Sequence, residues 1–318
     1  MVSRRSLLAG AAVTAAAPVA GCSRPPDYGR GPLRIASGNQ GGVYYAYGQG
    51  LAAAVRADLP QRVPRVLTTG ASVDNLRLVA TGGAEVAFTL ADSAAAGYAG
   101  QAPFTGRLPI AALARLYENY LHVVVRADGP VHDLAGLAGR RVSLGASGSG
   151  TEVIAGRLLA VLGIDRTRDV SAVALGLDES ADALAAGRLD AFLFSAGLPV
   201  ASIASLVARV PIRLLDVAAQ VPALRTGYGE FYAERTIPVS AYGLDRPVST
   251  VGVPNYLVVA GAMAEPLAYR LTGLLFTRRG TLASAHPEAR RLDRGAAIGT
   301  YPLPLHAGAA RYYRDTKV

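Results

Sequence analysis

The chain has 318 residues, and its composition, 51% hydrophobic and 17% charged, is typical of a globular protein. Its single cysteine excludes a disulfide framework. The formal net charge is +9, but the arginines are scattered singly rather than clustered in a stripe, so we expect no nucleic-acid partner. A mild positive field instead favours anionic ligands and an anionic membrane surface.

The first 22 residues have the pattern of an export signal. Two arginines precede an apolar stretch of small residues, 7–17, which is shorter than the roughly 18 residues that span a membrane. The stretch runs into Val19-Ala20-Gly21-Cys22, which resembles the bacterial lipobox. We therefore predict a lipoprotein signal peptide over residues 1–22 and lipidation of Cys22. A plain signal peptide with an incidental cysteine is the alternative.

The same segment indicates where the mature protein is located. Ser3-Arg4-Arg5-Ser6-Leu7-Leu8 resembles a twin-arginine export signal, so the general and the twin-arginine routes both stay open. Residues 23–31 begin with Ser-Arg-Pro-Pro, which is typical of a flexible tether. No later apolar run reaches about 18 residues without a charge, so no transmembrane helix is predicted. We expect an exported protein that is lipid-anchored on the outer face of the cytoplasmic membrane.

Short apolar runs alternate with helical patterns from residue 33 onward, in two series. The first series predicts strands at 33–35, 63–67 and 86–90, and helices at 44–57 and from 72 to about 82. The second predicts strands at 142–144, 172–175, 191–194 and 212–215, and helices at 151–162 and 178–186. A segment rich in Tyr and Pro, 228–246, is followed by a strand at 256–260 and terminal helices. This alternation favours an α/β fold with a mostly parallel sheet and helices on both faces.

The second series is inserted in the first, which predicts two lobes. We assign residues 32–124 plus 250–318 to lobe 1 and 125–249 to lobe 2, with crossing strands at 121–126 and 248–258. A cleft between two such lobes is the expected place for a ligand, beyond the carboxyl ends of the parallel strands.

Three glycine-rich junctions between a strand and a helix could bind that ligand. In the first, residues 38–45, Gly42 lets the backbone approach closely and Tyr44 offers a ring face and a hydroxyl. In the second, residues 70–76, we predict Ser72 as an N-cap and Asn75 at the third helical position, both as ligand contacts, with capping alone as the alternative.

The third junction, residues 145–152, lies in the other lobe and carries three hydroxyl side chains among its glycines. Hydroxyls and free helix N–H groups can together bind a carboxylate without a countercharge. The ligand-binding residues predicted here are Ser147, Ser149, Gly150 and Thr151. Ser195 and Tyr242 complete the predicted site.

Motifs of bond-making chemistry are missing from the sequence. There is no P-loop, no G-x-G-x-x-G and no G-x-S-x-G nucleophile elbow. None of the four histidines has metal-ligand spacing with another His, Cys or carboxylate. We therefore predict no catalytic residue, no metal and no cofactor, and a binding protein rather than an enzyme.

The junctions, in this order, resemble the TAXI family of solute-binding proteins from tripartite ATP-independent periplasmic (TRAP) transporters. The resemblance covers nearly the whole mature chain. It is carried by Gly41-Gly42-Val43-Tyr44-Tyr45, Gly70-x-Ser72-Val73-x-Asn75-Leu76, Asp133-Leu134-x-x-Leu137-x-Gly139-Arg140-Arg141-Val142, Gly148-Ser149-Gly150-Thr151-Glu152, Gly187-x-x-Asp190-Ala191-Phe192 and Pro304-Leu305-His306-Ala307-Gly308-Ala309 with Tyr312-Tyr313.

This resemblance implies a two-lobed type II periplasmic-binding-protein (Venus flytrap) fold, with two Rossmann-like lobes joined by crossing strands. It implies capture of a small carboxylate or amino acid, such as a glutamate-like ligand, and delivery to a TRAP permease. We expect a monomer. The family often has Gly where Ala71 stands and Ser where Ala91 stands, and His306 fits a structural anchor of the terminal helix. A sensory ligand-binding lipoprotein and a secreted α/β hydrolase or transferase are the alternatives.

Overall fold

The computed structural model describes residues 27–316. The predicted signal peptide, the predicted lipidation site Cys22 and the start of the predicted tether lie outside this range and stay predictions. Gly31, the last residue of the predicted tether, belongs to the first strand. Within residues 27–316, no helix is long and apolar enough to cross a membrane.

The described residues form ten strands and twelve α-helices. The strands are β1 (Gly31–Ala36), β2 (Arg62–Leu67), β3 (Val86–Leu90), β4 (Ile110–Arg126), β5 (Arg141–Ser143), β6 (Ser171–Val173), β7 (Ala191–Ala196), β8 (Ile212–Leu214), β9 (Ala233–Ile237) and β10 (Val248–Ala260). The helices are α1 (Val43–Asp58), α2 (Ser72–Ala80), α3 (Ala91–Ala99), α4 (Gly150–Val161), α5 (Leu177–Ala185), α6 (Ala201–Val207), α7 (Val221–Tyr228), α8 (Val239–Tyr242), α9 (Glu265–Thr277), α10 (Arg279–Ala285), α11 (Arg294–Ala297) and α12 (Ala307–Asp315).

All ten strands belong to one sheet, in the order β2-β1-β3-β10-β4-β7-β5-β6, with β8 beside β4 and β9 beside β10. The pairs β1–β2, β1–β3, β5–β6 and β5–β7 are parallel. Every pair that involves β4 or β10 is antiparallel. The prediction of a mostly parallel sheet is therefore right for the two outer parts and wrong for the centre, where the two long strands run against their neighbours.

The outer parts of the sheet are the cores of two lobes. The first lobe contains β1, β2, β3 and the helices α1 to α3, and the second contains β5, β6, β7 and the helices α4 to α6. The long strands connect them, since β4 pairs with β10 near its start and with β7 from Tyr120 to Val125. The predicted residue limits of the lobes stay a prediction.

Buried apolar residues form two clusters on opposite faces of the sheet, and each cluster crosses from one lobe to the other. Along β4, Val123 belongs to one cluster and Val124 to the other, as the alternation of side chains along a strand requires. One cluster contains both Leu33 of the first lobe and Leu184 of the second. Helices cover both faces, so the central strands are buried on both sides.

The strand β4 begins earlier than the predicted crossing strand 121–126. Its first half contains charged residues, which hid the strand pattern in the sequence. Arg115 lies 3.1 Å from Glu118, and Glu118 also pairs with Arg235 of β9 at 2.9 Å. Because these charges are paired with one another, the strand continues through them.

Candidate functional site

A pocket lies where the two lobes and β4 meet. Its walls come from β4 and from the carboxyl ends of β1, β2, β3, β5 and β7 with the loops that follow them, which is where parallel sheets place ligands. The cavity has a volume of about 60 Å³. Since one water needs roughly 10–15 Å³ on this measure, the pocket has room for a small molecule.

Seven of the ten residues predicted to contact a ligand line this pocket. They are Gly42, Tyr44, Ser72, Ser149, Gly150, Thr151 and Ser195. The structure brings the three predicted junctions together from both lobes, although contact with a ligand stays a prediction for each residue.

The other three predicted residues do not line the pocket. Asn75 is fully buried and donates to two backbone carbonyls, at 2.6 and 2.8 Å. Tyr242 is buried with its hydroxyl 2.8 Å from Nε2 of His122. Ser147 is exposed. The first two side chains therefore have structural roles, which their neighbours in the sequence did not reveal.

The first junction places the start of α1 at the pocket. Gly42 is the N-cap, and no side chain caps this helix end. The first N–H groups of a helix have no partner within the helix, and they carry the positive end of its dipole. Gly42, Val43 and Tyr44 all line the pocket, so these N–H groups lie at its wall.

The second junction differs from its prediction. Ser72 is not the N-cap of α2 but its first residue, and Ala71 is the N-cap. The hydroxyl of Ser72 accepts a hydrogen bond from the backbone N–H of Leu90, at 3.0 Å. Ala71 has a φ of +87°, a conformation that favours glycine, and it lines the pocket.

The third junction places the start of α4 opposite α1. Ser149 is the N-cap, and its hydroxyl accepts from the N–H of Glu152 at 2.9 Å. Gly150 and Thr151 are the first two residues of the helix, whose N–H groups lie beyond the reach of intrahelical bonding. The Thr151 hydroxyl accepts from the N–H of Ser195, at 3.1 Å, and so joins α4 to β7.

A chain of hydrogen bonds forms the back of the pocket. Tyr44 donates its hydroxyl proton to Oδ1 of Asn255, at 2.5 Å. Asn255 in turn donates to Oδ1 of Asn119, at 2.8 Å, and Asn119 donates to the carbonyl of Ser195, at 3.0 Å. Burial raises the pKa of Tyr44, so the phenol keeps its proton. The network joins both lobes through β10 and β4.

Asn119 and Asn255 are site residues that the sequence analysis missed. Asn119 lines the pocket and Asn255 supports it. Both are completely or almost completely buried in the long central strands. Asn255 lies within the predicted crossing strand 248–258, and an asparagine there was the available signal, because a buried amide requires partners.

The pocket wall carries no charged side chain among the described residues that line it. Its polar groups are hydroxyls, amides and the N–H groups of two helix starts. Such groups can bind an anionic ligand, because helix N-termini favour negative charge and charge-assisted hydrogen bonds to N–H are strong. They contain no nucleophile paired with a base.

The two lobes touch beside the pocket, at positions that require glycine. The carbonyl of Gly148 accepts from the N–H groups of Val73 and Asp74, at 3.0 and 3.2 Å. A Cβ on Gly150 would lie 2.6 Å from the Ser72 hydroxyl, which is closer than atoms can pack. The structure therefore has the lobes in a closed arrangement.

A buried ion pair also joins the lobes. Asp92 of α3, with a side chain 0% exposed, lies 3.0 Å from Arg157 of α4. The Tyr232 hydroxyl donates to Asp92 at 2.8 Å and accepts from Arg157 at 2.6 Å. Burial alone would lower the pKa of Arg157, but Asp92 and Tyr232 outweigh it and the pKa is raised. We call Asp92, Arg157 and Tyr232 the ion-pair cluster.

Metal-binding groups are not assembled in the described part of the chain, where no three His, Cys, Asp or Glu side chains come together. Nδ1 of His122 donates to the Phe194 carbonyl at 3.2 Å, and Nε2 accepts from the Tyr242 hydroxyl at 2.8 Å. Burial lowers its pKa to about 4, so it is neutral. His306 caps α12 through Nδ1, which agrees with the anchor role expected for it.

Comparison with known proteins gives one family and several similar structures. The chain matches the NMT1-like family over residues 35–316. Its structure is similar to that of the periplasmic aliphatic sulphonate binding protein SsuA from Escherichia coli, at 17% identity and a TM-score of 0.50, covering 91% of this chain and 84% of that one. The structure is also similar to that of MatC from Rhodopseudomonas palustris with bound malate, at 14% identity and a TM-score of 0.57, covering 90% of this chain and 96% of that one. The periplasmic binding protein BugD is similar at 13% identity and a TM-score of 0.57, covering 91% of this chain and 96% of that one.

At these identities the likeness concerns the fold. The predicted two-lobed periplasmic-binding-protein fold is confirmed. SsuA and BugD are named as binding proteins, and MatC was solved with bound malate.

Proposed function

The chain belongs to the NMT1-like family, and on that premise we propose that it is an extracytoplasmic solute-binding protein for a small carboxylate or amino acid, such as a glutamate-like ligand. The ligand binds between the lobes and is delivered to a membrane permease. We propose a permease of the TRAP type, since the three junctions resemble the TAXI family. Lipidation of Cys22 would tether the protein to the outer face of the cytoplasmic membrane.

The observation that carries this proposal is the meeting of two helix starts, one from each lobe, at a pocket that no charged side chain of the described residues lines. A carboxylate that entered the pocket would receive hydrogen bonds from N–H groups near Gly42 and Gly150. These bonds supply electrostatic stabilisation without a salt bridge.

The closed arrangement supports the same proposal. A ligand that contacts α1 and α4 together has more contacts when the lobes are closed than when they are apart. Such a ligand shifts the population toward the closed form by its difference in affinity for the two forms. A permease could therefore distinguish the loaded protein from the empty one.

Isothermal titration calorimetry tests the proposal. The purified protein is unfolded and refolded to release any co-purified molecule, then titrated with L-glutamate, glutarate, L-malate, L-aspartate, succinate and L-glutamine. We expect at least one of the acids to bind with a Kd below millimolar. If none does, neither a carboxylate nor an amino acid of this class is the ligand.

Two adjacent tyrosines provide a matched pair of variants. Tyr44 lines the pocket and donates to Asn255, whereas Tyr45 does not line it. We expect Tyr44→Phe to weaken binding by about ten-fold, because it breaks the hydrogen-bond chain that holds the back of the pocket in its binding conformation. Tyr45→Phe should bind as the wild type does. Equal effects of the two changes would place the ligand elsewhere.

The membrane tether has a separate test. Cells that express the full chain are labelled with a fatty acid, and the protein is recovered from membrane and soluble fractions. We expect label in the membrane-bound protein, and for Cys22→Ala we expect neither label nor membrane association. Unlabelled wild-type protein in the soluble fraction would contradict the proposed anchor without bearing on ligand binding.

A further inference from the structure

Three polar atoms beside the pocket are buried without a hydrogen-bond partner among the described residues. They are the hydroxyl oxygens of Tyr47 and Tyr117 and Oε2 of Glu288. They come from three elements, namely α1, β4 and the 3-10 segment 287–291. A buried polar atom without a partner costs free energy, and such atoms are rare in folded proteins.

The contacts of Glu288 show that it lies against the pocket wall. Its side chain is only 1% exposed, and Oε1 accepts from the N–H of Leu198 at 3.1 Å. A Cβ on Gly197 would lie 2.9 Å from Cγ of Glu288 and 3.0 Å from Cε2 of Tyr117. Gly197 directly follows Ala196, which lines the pocket, as Tyr117 does. Glu288 and Tyr117 therefore meet just behind that wall.

The charge of Glu288 is only partly compensated. Its nearest cation is Arg291, whose Nε lies 3.4 Å from Oε2 and whose side chain is 58% exposed. Burial raises the pKa of Glu288, while Arg291 and the Leu198 N–H oppose that rise. Asp92, the other fully buried carboxylate near the lobe junction, has an arginine and a phenol as partners.

The two phenols complete a group of acceptors. Tyr47 lies almost one helical turn after Tyr44 on α1, and its ring centroid is 6.0 Å from that of Tyr117. Each phenol oxygen can accept a hydrogen bond, and an ionised carboxylate only accepts. The best occupant for three such oxygens is a compact cation with several N–H donors, which describes an ammonium group.

We propose that Tyr47, Tyr117 and Glu288 receive the ammonium group of a zwitterionic ligand, so that the protein selects amino acids over the corresponding simple carboxylic acids. This inference rests on the proposed function, in which the carboxylate of the ligand lies at the starts of α1 and α4. Glu288 lies just behind the wall, and no acidic side chain among the described residues lines the pocket itself. Glu288 is therefore the residue that sets this specificity.

Paired ligands that differ only by the ammonium group test the inference. Calorimetry compares L-glutamate with glutarate, L-aspartate with succinate, and L-leucine with 4-methylpentanoate. We expect the wild type to bind one amino acid at least ten-fold more tightly than its partner acid. If the partner acid binds equally well, water rather than an ammonium group forms hydrogen bonds to the three atoms and the inference is wrong, although the proposed function stands. If no compound of either kind binds, the proposed function itself fails.

Charge-matched variants separate specificity from structure. Gln at position 288 keeps an acceptor for the Leu198 N–H, so Glu288→Gln should remove the ten-fold preference and leave the affinity for the partner acid within about three-fold. Glu265→Gln, which removes an exposed acid paired with Arg311, should behave as the wild type. If Glu288→Gln weakens both ligands equally, Glu288 is a structural residue and the inference is wrong.

A second variant covers the case in which Glu288→Gln folds poorly. The Tyr47 hydroxyl has no hydrogen-bond partner among residues 27–316, so Tyr47→Phe should leave the thermal midpoint of the ligand-free protein unchanged or raise it. The same change should lower the affinity for the amino acid several-fold and leave the affinity for the partner acid unchanged. An unchanged affinity for the amino acid would show that the Tyr47 hydroxyl does not meet the ligand.

Discussion

The pocket and the ion-pair cluster both lie between the lobes, but their polar groups are arranged in opposite ways. In the cluster, Asp92, Arg157 and Tyr232 form hydrogen bonds with one another. In the pocket, no charged side chain of residues 27–316 lines the wall, and none of their side chains caps the start of α1. The comparison indicates that the cluster serves the stability of the closed protein, whereas the pocket keeps its hydrogen-bonding capacity for a ligand.

Replacement of Arg157 should have the largest effect on stability, because it breaks the ion-pair cluster. Arg157→Ala leaves the buried carboxylate of Asp92 without its cation. We expect the free energy of unfolding at pH 7, measured in urea, to fall by about 3–5 kcal/mol. The binding of ligand to the protein that remains folded should weaken as well, since the pair joins the two lobes.

An exposed arginine is the matched control for that experiment. Arg209 pairs with Asp182 at 2.6 Å, with both side chains at least half exposed. Arg209→Ala should cost less than about 1 kcal/mol. If Arg157→Ala costs no more than Arg209→Ala, the ion-pair cluster does not stabilise the closed arrangement.

The ion-pair cluster was also the part that the sequence could not reveal. Asp92 and Arg157 are 65 residues apart along the chain, and Tyr232 is 75 residues beyond Arg157. Only the folded chain brings these three side chains together. By contrast, the three glycine-rich junctions were found from local chemistry, since each combines a strand end, a flexible turn and a helix start. Residues whose role depends on long-range pairing, such as Asn119 and Asn255, were missed for the same reason as the cluster.

The stability of the protein at acid pH tests His122, another buried polar group whose hydrogen-bond partners belong to the protein. His122 has a folded-state pKa of about 4, lowered chiefly by burial, against 6.5 in the unfolded chain. Between these values the unfolded chain takes up a proton that the folded protein does not. Stability is therefore fully present above pH 6.5 and falls as the pH drops to 4, by up to about 3 kcal/mol. Urea unfolding at a series of pH values measures this loss.

A glutamine at position 122 isolates the contribution of the histidine. His122→Gln can still donate to the Phe194 carbonyl and accept from the Tyr242 hydroxyl, but it does not titrate. The difference in unfolding free energy between wild type and variant should change by about 3 kcal/mol from pH 7 to pH 4. His286 and the carboxylates titrate in both proteins and cancel in that difference. A constant difference would mean that His122 takes up its proton over the same pH range in the folded and the unfolded protein.

Gly150, at the contact between the lobes, tests whether ligand binding in the pocket requires closure. A Cβ at position 150 would lie 2.6 Å from both Ser72 and Leu90 of the other lobe. Gly150→Ala should therefore hinder closure and weaken ligand binding by at least about ten-fold, or roughly 1.4 kcal/mol. Calorimetry with the best ligand measures the change.

Another glycine of the same helix is the control. A Cβ on Gly156 would come no nearer than 3.8 Å to its closest neighbour, Arg166. Gly156→Ala should keep the affinity and stabilise α4 slightly, because alanine favours helix. Wild-type affinity in Gly150→Ala would show that the ligand does not require the closed arrangement.

The smallest effect should come from relieving backbone strain in the pocket wall. Ala71 is the only non-glycine residue of positive φ among residues 27–316, at +87°, and such a conformation costs an L-residue about 1–3 kcal/mol. Glycine removes that cost but gives the unfolded chain more freedom, worth about 0.4–1 kcal/mol. We expect Ala71→Gly to raise the free energy of unfolding by about 1 kcal/mol. Ala160→Gly, at an exposed position in α4, should lower it by a similar amount.

The affinity of the Ala71→Gly variant for the ligand then shows whether the backbone strain at this position contributes to binding. If the variant is more stable and binds the ligand as the wild type does, the strained turn is simply a consequence of alanine at a position that suits glycine. If it is more stable but binds several-fold more weakly, the alanine restricts the loop to the conformation that the ligand requires. A less stable variant would contradict the strain itself. In the second case the conformation of the pocket, like that of the ion-pair cluster, is fixed by the residues that form it. The two regions then differ in their polar groups, which are paired with one another in the cluster and available to a ligand in the pocket.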